Sequence, residues 1–334
     1  MSHVTHIAKN KNNLEIRSQI IRLIREWFWS QGFSEHETPS LLRLPGQEPY
    51  LSPMKLTIHN EHNKIHEAYL HTSPEYTLKK MLAAGFNNIF SLCKVYRDQE
   101  SFGGTHNPEF TMIEWYRANK DFYAIMDDVE GLFLYLNQEL GIKNQGMKFE
   151  NFERLHMREA WQRYAGVNLD EYLEKETMFA LCAEKGYKPN AEEAYEDLFY
   201  RIFLNEIEPH LGKEQPTIIH HYPACMAALS RLSPVDPRYA ERFEVYVGGL
   251  ELANCFSELT DPEEQLKRLK SEQIHRNNLG KEVYEIDQEF VEALKTMPPS
   301  AGIALGVDRL VQLFTGCKNI NNVIVLPASE LFGS

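Results

Sequence analysis

The chain has 334 residues, 43% of them hydrophobic and 25% charged, which suits one large core or two modest ones. Its net charge of −13 argues against broad nucleic-acid binding, and no Lys/Arg-rich run offers a local basic patch. No apolar run approaches the roughly 20 residues of a membrane span. Met1 to Asn13 carries no signal-peptide core, so a cytoplasmic location is expected.

Met1–Asn13 reads as a loose tail. Leu14 to Gln31 carries apolar residues at helical spacing, and Gly32 ends the helix. Phe33 to Pro39 reads as a strand, and residues 40–70, broken by Pro45, Pro49 and Pro53, as short strands and loops. Thr72-Ser73-Pro74-Glu75 is a helix start: a hydroxyl cap, a proline in the first turn, then an acid. That helix runs to Gly85. Asn88–Tyr96 and Phe110–Arg117 are expected to pair as a hairpin around Gly103-Gly104. Asp121 caps a helix to about Leu140, and residues 150–215 are mainly helical.

Further on, Thr217–His221, Phe243–Val247, Leu250–Phe256, Ala301–Leu305 and Asn322–Leu326 read as strands. Asp261-Pro262 starts a helix to Asn278, and Asp308–Phe314 is another, with Asp308 as its cap. Hairpins and long helical insertions without regular βαβ alternation indicate an α+β protein with an antiparallel sheet. The five cysteines are scattered without a CxxC pair, which indicates free thiols. His220 and His221 are disfavoured as shared metal ligands, because neighbours in a strand point to opposite faces.

Several residues carry chemistry. Arg97, at the end of an apolar strand, suits two-pronged pairing with a carboxylate or phosphate, or equally a sheet-edge salt bridge. Phe110 offers a stacking face, or is an ordinary core residue. Glu244 and Glu251 lie on two strands joined at Gly248-Gly249; paired side by side they would hold Mg²⁺ and phosphates, or they are ordinary surface glutamates. Glu114, Tyr116 and Glu258 suit an amine, and Arg309 a terminal phosphate. No phosphate-binding glycine loop of the P-loop or dinucleotide type is present.

The order of Arg97-Asp98-Gln99-Glu100, His106-Asn107-Pro108-Glu109-Phe110, Glu251-Leu252-Ala253-Asn254 with Glu258, and Gly302 to Arg309 resembles the motifs of class II aminoacyl-tRNA synthetases. The match is closest to the lysyl branch. The early start of the catalytic region leaves no room for an anticodon-binding domain, and in this the chain is similar to the elongation factor P lysyltransferase family. The resemblance implies a single class II catalytic domain over residues 14–334 with a helical insertion around 150–215. It implies activation of (R)-β-lysine or lysine with ATP and Mg²⁺, then transfer to a lysine of elongation factor P rather than tRNA. A homodimer through motif 1 is expected.

The implied roles are these. Arg97 holds the α-phosphate and substrate carboxylate; Asp98, Gln99, Asn107, Phe110, Leu252, Gly306 and Arg309 complete the ATP site. Arg97, Glu251 and Arg309 are catalytic, and Glu244 and Glu251 bind the metal. Ser73, Pro74, Glu75, Glu114, Tyr116, Asn254, Glu258 and Ala304 surround the amino acid, Ser73 and Ala304 standing where lysyl-tRNA synthetases have alanine and glycine. Two departures stand out. Either Gln99 replaces the family's motif 2 acid or Glu100 is shifted into its place, and Cys255 replaces a glycine and is expected to crowd the site. A truncated tRNA-charging enzyme and a non-catalytic regulatory paralogue are the competing readings.

Overall fold

A computed structural model of the chain describes residues 2–141, 149 and 151–333. Met1, Glu150 and Ser334, at the ends of expected segments, lie outside the described residues. The strands are β1 (Ser34–Glu35), β2 (Leu41–Leu42), β3 (Lys55–His59), β4 (Ile65–Leu70), β5 (Asn88–Tyr96), β6 (Glu109–Ala118), β7 (Glu153–His156), β8 (Thr217–Pro223), β9 (Tyr239–Val247), β10 (Leu250–Ser257) and β11 (Ser300–Gly306). Eight of them form one sheet in the order β1-β5-β6-β11-β10-β9-β8-β7, while β2, β4 and β3 make a small separate sheet. The interior of the large sheet is antiparallel, as expected; its outermost pairs, β1 with β5 and β7 with β8, are parallel.

The helices are α1 (His3–Lys9), α2 (Lys11–Ser30), α3 (Glu75–Ala83), α4 (Phe122–Leu140), α5 (Met157–Ala160), α6 (Lys175–Glu184), α7 (Tyr195–Ile202), α8 (Pro262–Asn278), α9 (Gln288–Ala293), α10 (Val307–Thr315) and α11 (Ala328–Phe332). The apolar stripes of α2, α4 and α10 share the main core with one face of the sheet, around Phe28, Trp115, Phe133 and Phe314. A second core lies under the helical insertion, and a third joins α3 and α9 to Ile89 and Tyr116. Asp121 caps α4 and Asp261 caps α8, each accepting backbone N–H groups of the first turn. No described helix is long and apolar enough to cross a membrane.

The structure corrects four readings. The first residues are helical rather than loose: the Ser2 side chain caps α1, and His6 lies 3.3 Å from Glu330 of α11. The strand expected over Phe33 to Pro39 shrinks to β1. Asn322–Leu326 is no strand: β10 and β6 already occupy both edges of β11, and Val323 and Ile324 pack into the main core instead. The argument that His220 and His221 face apart fails because of a bulge. His221 adopts a left-handed backbone (φ 63°), and the two Nδ1 atoms lie 2.6 Å apart with the His156 ring stacked on His221. Burial pushes His220 down to about 3 and His156 to about 4, so both are neutral. Among the described residues no group of three or more His, Cys, Asp or Glu is arranged to hold a metal.

Candidate active site

Strand alternation divides β6 between two environments. Ile113 and Trp115 enter the main core, while Glu114 and Tyr116 line a cavity of about 730 Å³ on the other face. Register then aligns side chains across four strands. Glu114 stands opposite Ala304, Ala304 opposite Asn254, and Asn254 opposite Glu244. The next row runs Tyr116, Gly302, Phe256, Arg242. A Cβ at residue 302 would overlap the Tyr116 ring, so glycine is what lets that ring lie across β11. Gly302→Ala is expected to cost about 1–3 kcal/mol of stability or to turn Tyr116 aside. Thermal melting, with near-UV circular dichroism reporting on the Tyr116 ring, would separate those outcomes.

One end of the cavity is built for anions. Arg97 follows β5 and stacks over the Phe110 ring with its guanidinium carbon 5.0 Å from the centroid. Its Nε is sealed and without a hydrogen-bond partner, and among the described residues Arg97 forms no ion pair. Burial lowers the guanidinium below its ordinary value, with Glu100 and Glu48 opposing. An unpartnered guanidinium in a cavity is a site for a carboxylate or phosphate. Arg309, in the first turn of α10, is held by the carbonyls of Glu251 (2.8 Å) and Thr105 (3.2 Å), and its Nη2 lies 2.9 Å from His106 Nε2. Leu252 and Gly306 line the same region.

The carboxylate pair differs from expectation. Glu244 and Glu251 are not opposite each other: Glu251 faces Tyr246, and a bulge follows between Glu251 and Ala253. Glu244 is buried off the cavity wall and accepts from Tyr222 (2.6 Å), Tyr246 (2.9 Å) and Arg242 (2.7 Å). Glu251 opens into the cavity, 3.9 Å from Arg309. The enclosing protein and nearby Glu244 push Glu251 up to about 7, with Arg309 and Arg242 pulling back. A carboxylate oxygen opening into the cavity suits a hard divalent cation, whose charge would offset that bias. Glu244 would have to release a donor to join it.

Other expected residues divide sharply. Pro74, Asp98 and Gln99 do not line the cavity, whereas Glu100 does. Gln99 takes a left-handed backbone (φ 63°) and its N–H donates to Asp98, and the turn brings Glu100 to the cavity. Asn107 lines the wall, but its side chain is committed to the Glu109 carbonyl and the Ala328 N–H. Asp308 is a pin rather than a cap: it accepts from Arg17 of α2 and from the Thr111 N–H, both at 2.5 Å. Cys255 points into the main core, so it does not crowd the cavity.

The other end is built for cations. The Ser73 hydroxyl accepts the Glu75 N–H (3.0 Å) and donates to Glu114 (2.5 Å), and the Tyr116 hydroxyl donates to Glu114 (3.2 Å). Glu258, just after β10, is 2% exposed, and its Oε1 has no partner. Burial, with Glu75 adding, pushes Glu114 up to about 8; burial does the same to Glu258, Lys79 opposing. Lys79 lies 2.5 Å from both Glu75 and Glu258. With all three carboxylates ionised, Lys79 would cancel one charge and leave two; in the free pocket the raised Glu114 and Glu258 keep protons that a cationic ligand would have to displace.

Sequence reasoning missed Lys79 and Arg242. The Glu75–Lys79 spacing of four on a helix is a readable pairing signal. Arg242 Nε donates to the Asn254 side-chain oxygen (3.2 Å), which fixes the amide and leaves its NH₂ for a carboxylate. No local pattern announced that contact, which depends on the β9–β10 register.

The comparisons with known proteins bear on the family. The family model for class II tRNA synthetases (D, K and N) matches residues 4–330, and the chain belongs to that family. The chain is 39% identical to a protein of Avibacterium paragallinarum named elongation factor P--(R)-beta-lysine ligase, over 92% of each chain. It is also 39% identical to the protein of that name from Salmonella arizonae, covering 93% of this chain and 94% of the relative. The Salmonella paratyphi B counterpart is 38% identical over the same shares.

Proposed function

We propose that the protein is an ATP-dependent, AMP-forming ligase. It activates (R)-β-lysine or lysine as an aminoacyl-adenylate and passes it to the ε-amine of a lysine on elongation factor P. The observation that carries this reading is a single cavity with an unpaired guanidinium, Arg97, at one end and a carboxylate-rich pocket of Glu75, Glu114 and Glu258 around Lys79 at the other, which carries two net negative charges once all three acids are ionised. A lysine isomer presents one carboxylate and two ammonium groups, which is the complementary charge pattern.

In the first step the substrate carboxylate attacks the α-phosphorus of ATP and pyrophosphate leaves. Arg97 and Arg309 balance charge developing on the phosphate oxygens, a preorganised electrostatic contribution. Mg²⁺, held by Glu251 with Glu244 close by, would neutralise phosphate charge. Asn254, oriented by Arg242, donates to the substrate carboxylate. In the second step the acceptor amine attacks the adenylate carbonyl, forming an amide and releasing AMP. Glu196 and Tyr200 of α7 line the cavity, which supports the helical insertion as part of the surface that meets the acceptor. A homodimer is read from motif 1, here α2 and β1.

The pH dependence follows from the raised carboxyls. In the free pocket Glu114 and Glu258 hold protons below about 8, and a dication has to displace them. The kcat/KM for the amino acid is therefore expected to rise with pH until about 8 and then level, by up to about tenfold per unit for each proton displaced. Any pH dependence in the KM for ATP should lie lower, near the raised Glu251 at about 7, and be flat above it. Lysine-dependent pyrophosphate exchange measured across that range tests this; a profile that falls with rising pH would contradict it.

A further inference from the structure

Lys79 stands one helical turn after Glu75 on α3 and is 1% exposed. Its Nζ touches Glu75 Oε1 and Glu258 Oε2, each at 2.5 Å, so those two oxygens cannot be further apart than twice that distance. Burial works against its charge, but the Glu258 and Glu75 carboxylates more than offset that and hold the ammonium above its ordinary value. The groups bonded into this cluster are Glu75 from α3, Ser73 from the turn before it, Glu114 and Tyr116 from β6, and Glu258 after β10, while Glu48 and Glu272 of the same cavity lie within electrostatic reach of Glu75. Three carboxylates sealed together cannot all ionise unaided, and a neutral carboxyl does not pair with an ammonium. Glu258 Oε1 is left free by the arrangement.

Resting on the function proposed above, we infer that Lys79 is a positioning residue for the diamine site. It locks Glu75 and Glu258 into one ion-paired unit and, once the substrate has displaced the protons of Glu114 and Glu258, cancels one of the three negative charges in contact there, so that two remain for a diammonium substrate. A plain core ion pair would support folding without affecting which ligand is chosen. A device that sets the charge of the site alters the handling of the amino acid and leaves ATP alone.

The test uses pyrophosphate exchange with the full-length chain, comparing wild type, Lys79→Met, Glu258→Gln and the double variant, with lysine, (R)-β-lysine and 6-aminohexanoate. Lys79→Met is expected to raise the KM for either diamine at least about tenfold, with the KM for ATP within about twofold and a smaller preference over 6-aminohexanoate. Because Lys79 acts through Glu258, the double variant should be far less impaired than the product of the single effects. An unchanged diamine KM, or effects that multiply, overturns the inference. Should Lys79→Met not fold, Lys79→Arg keeps the charge but changes its reach; a raised diamine KM with an unchanged ATP KM supports the inference, and kinetics identical to wild type overturn it. A wild-type protein without lysine-dependent exchange would instead overturn the proposed function itself.

Discussion

Replacing Arg97 with Met is expected to cut lysine-dependent pyrophosphate exchange by about 10²–10³-fold while leaving the melting temperature unchanged or slightly raised. The two effects have one origin. The Arg97 Nε is sealed without a partner, and no ion pair to this side chain forms among the described residues. Its charge therefore contributes little to the folded state, and an apolar stem of similar length removes a desolvation that Glu100, Glu48 and the Phe110 ring offset only in part. When the carboxylate and α-phosphate arrive, the same guanidinium gains its partners, and its value lies in the transition state. A lower melting temperature with exchange within about tenfold of wild type would mark Arg97 as structural instead.

Glu258→Gln is expected to lower kcat/KM for the diamine by about 2–5 kcal/mol, roughly 30- to 4,000-fold, through KM more than kcat. Glu258 is buried, presents an unpartnered oxygen, and faces Lys79. An amide there is neutral at every pH and cannot pair with an ammonium. Lys79 would keep only Glu75, so some stability is lost too. Steady-state exchange with lysine and ATP varied separately checks this. A raised ATP KM with an unchanged diamine KM would place Glu258 outside the amine site.

Most of the fold was legible because its signals are local. The alternation of Ile113 and Trp115 with Glu114 and Tyr116 revealed both the strand and its two faces. Asp121 and Asp261 announced the starts of α4 and α8. What could not be read depends on partners distant in sequence. The Glu244–Glu251 pairing failed on the register of the turn, which sets Glu251 opposite Tyr246, and Asp308 proved to be a pin because Arg17 and Thr111 reach it across the fold. The α1 helix was overlooked because its few buried side chains, such as His6, are polar and give no apolar period. Of the two alternatives the sequence left open, Glu100 and not Gln99 reaches the cavity, through a left-handed Gln99 that a glycine-free stretch does not advertise.

The most direct measurement is acceptor labelling. The purified protein would receive ATP, Mg²⁺ and labelled (R)-β-lysine or lysine, with elongation factor P and bulk tRNA offered in separate reactions. Label on elongation factor P, lost in Arg97→Met and absent from tRNA, is the result expected here. Label on tRNA alone, or on neither acceptor, would contradict the account.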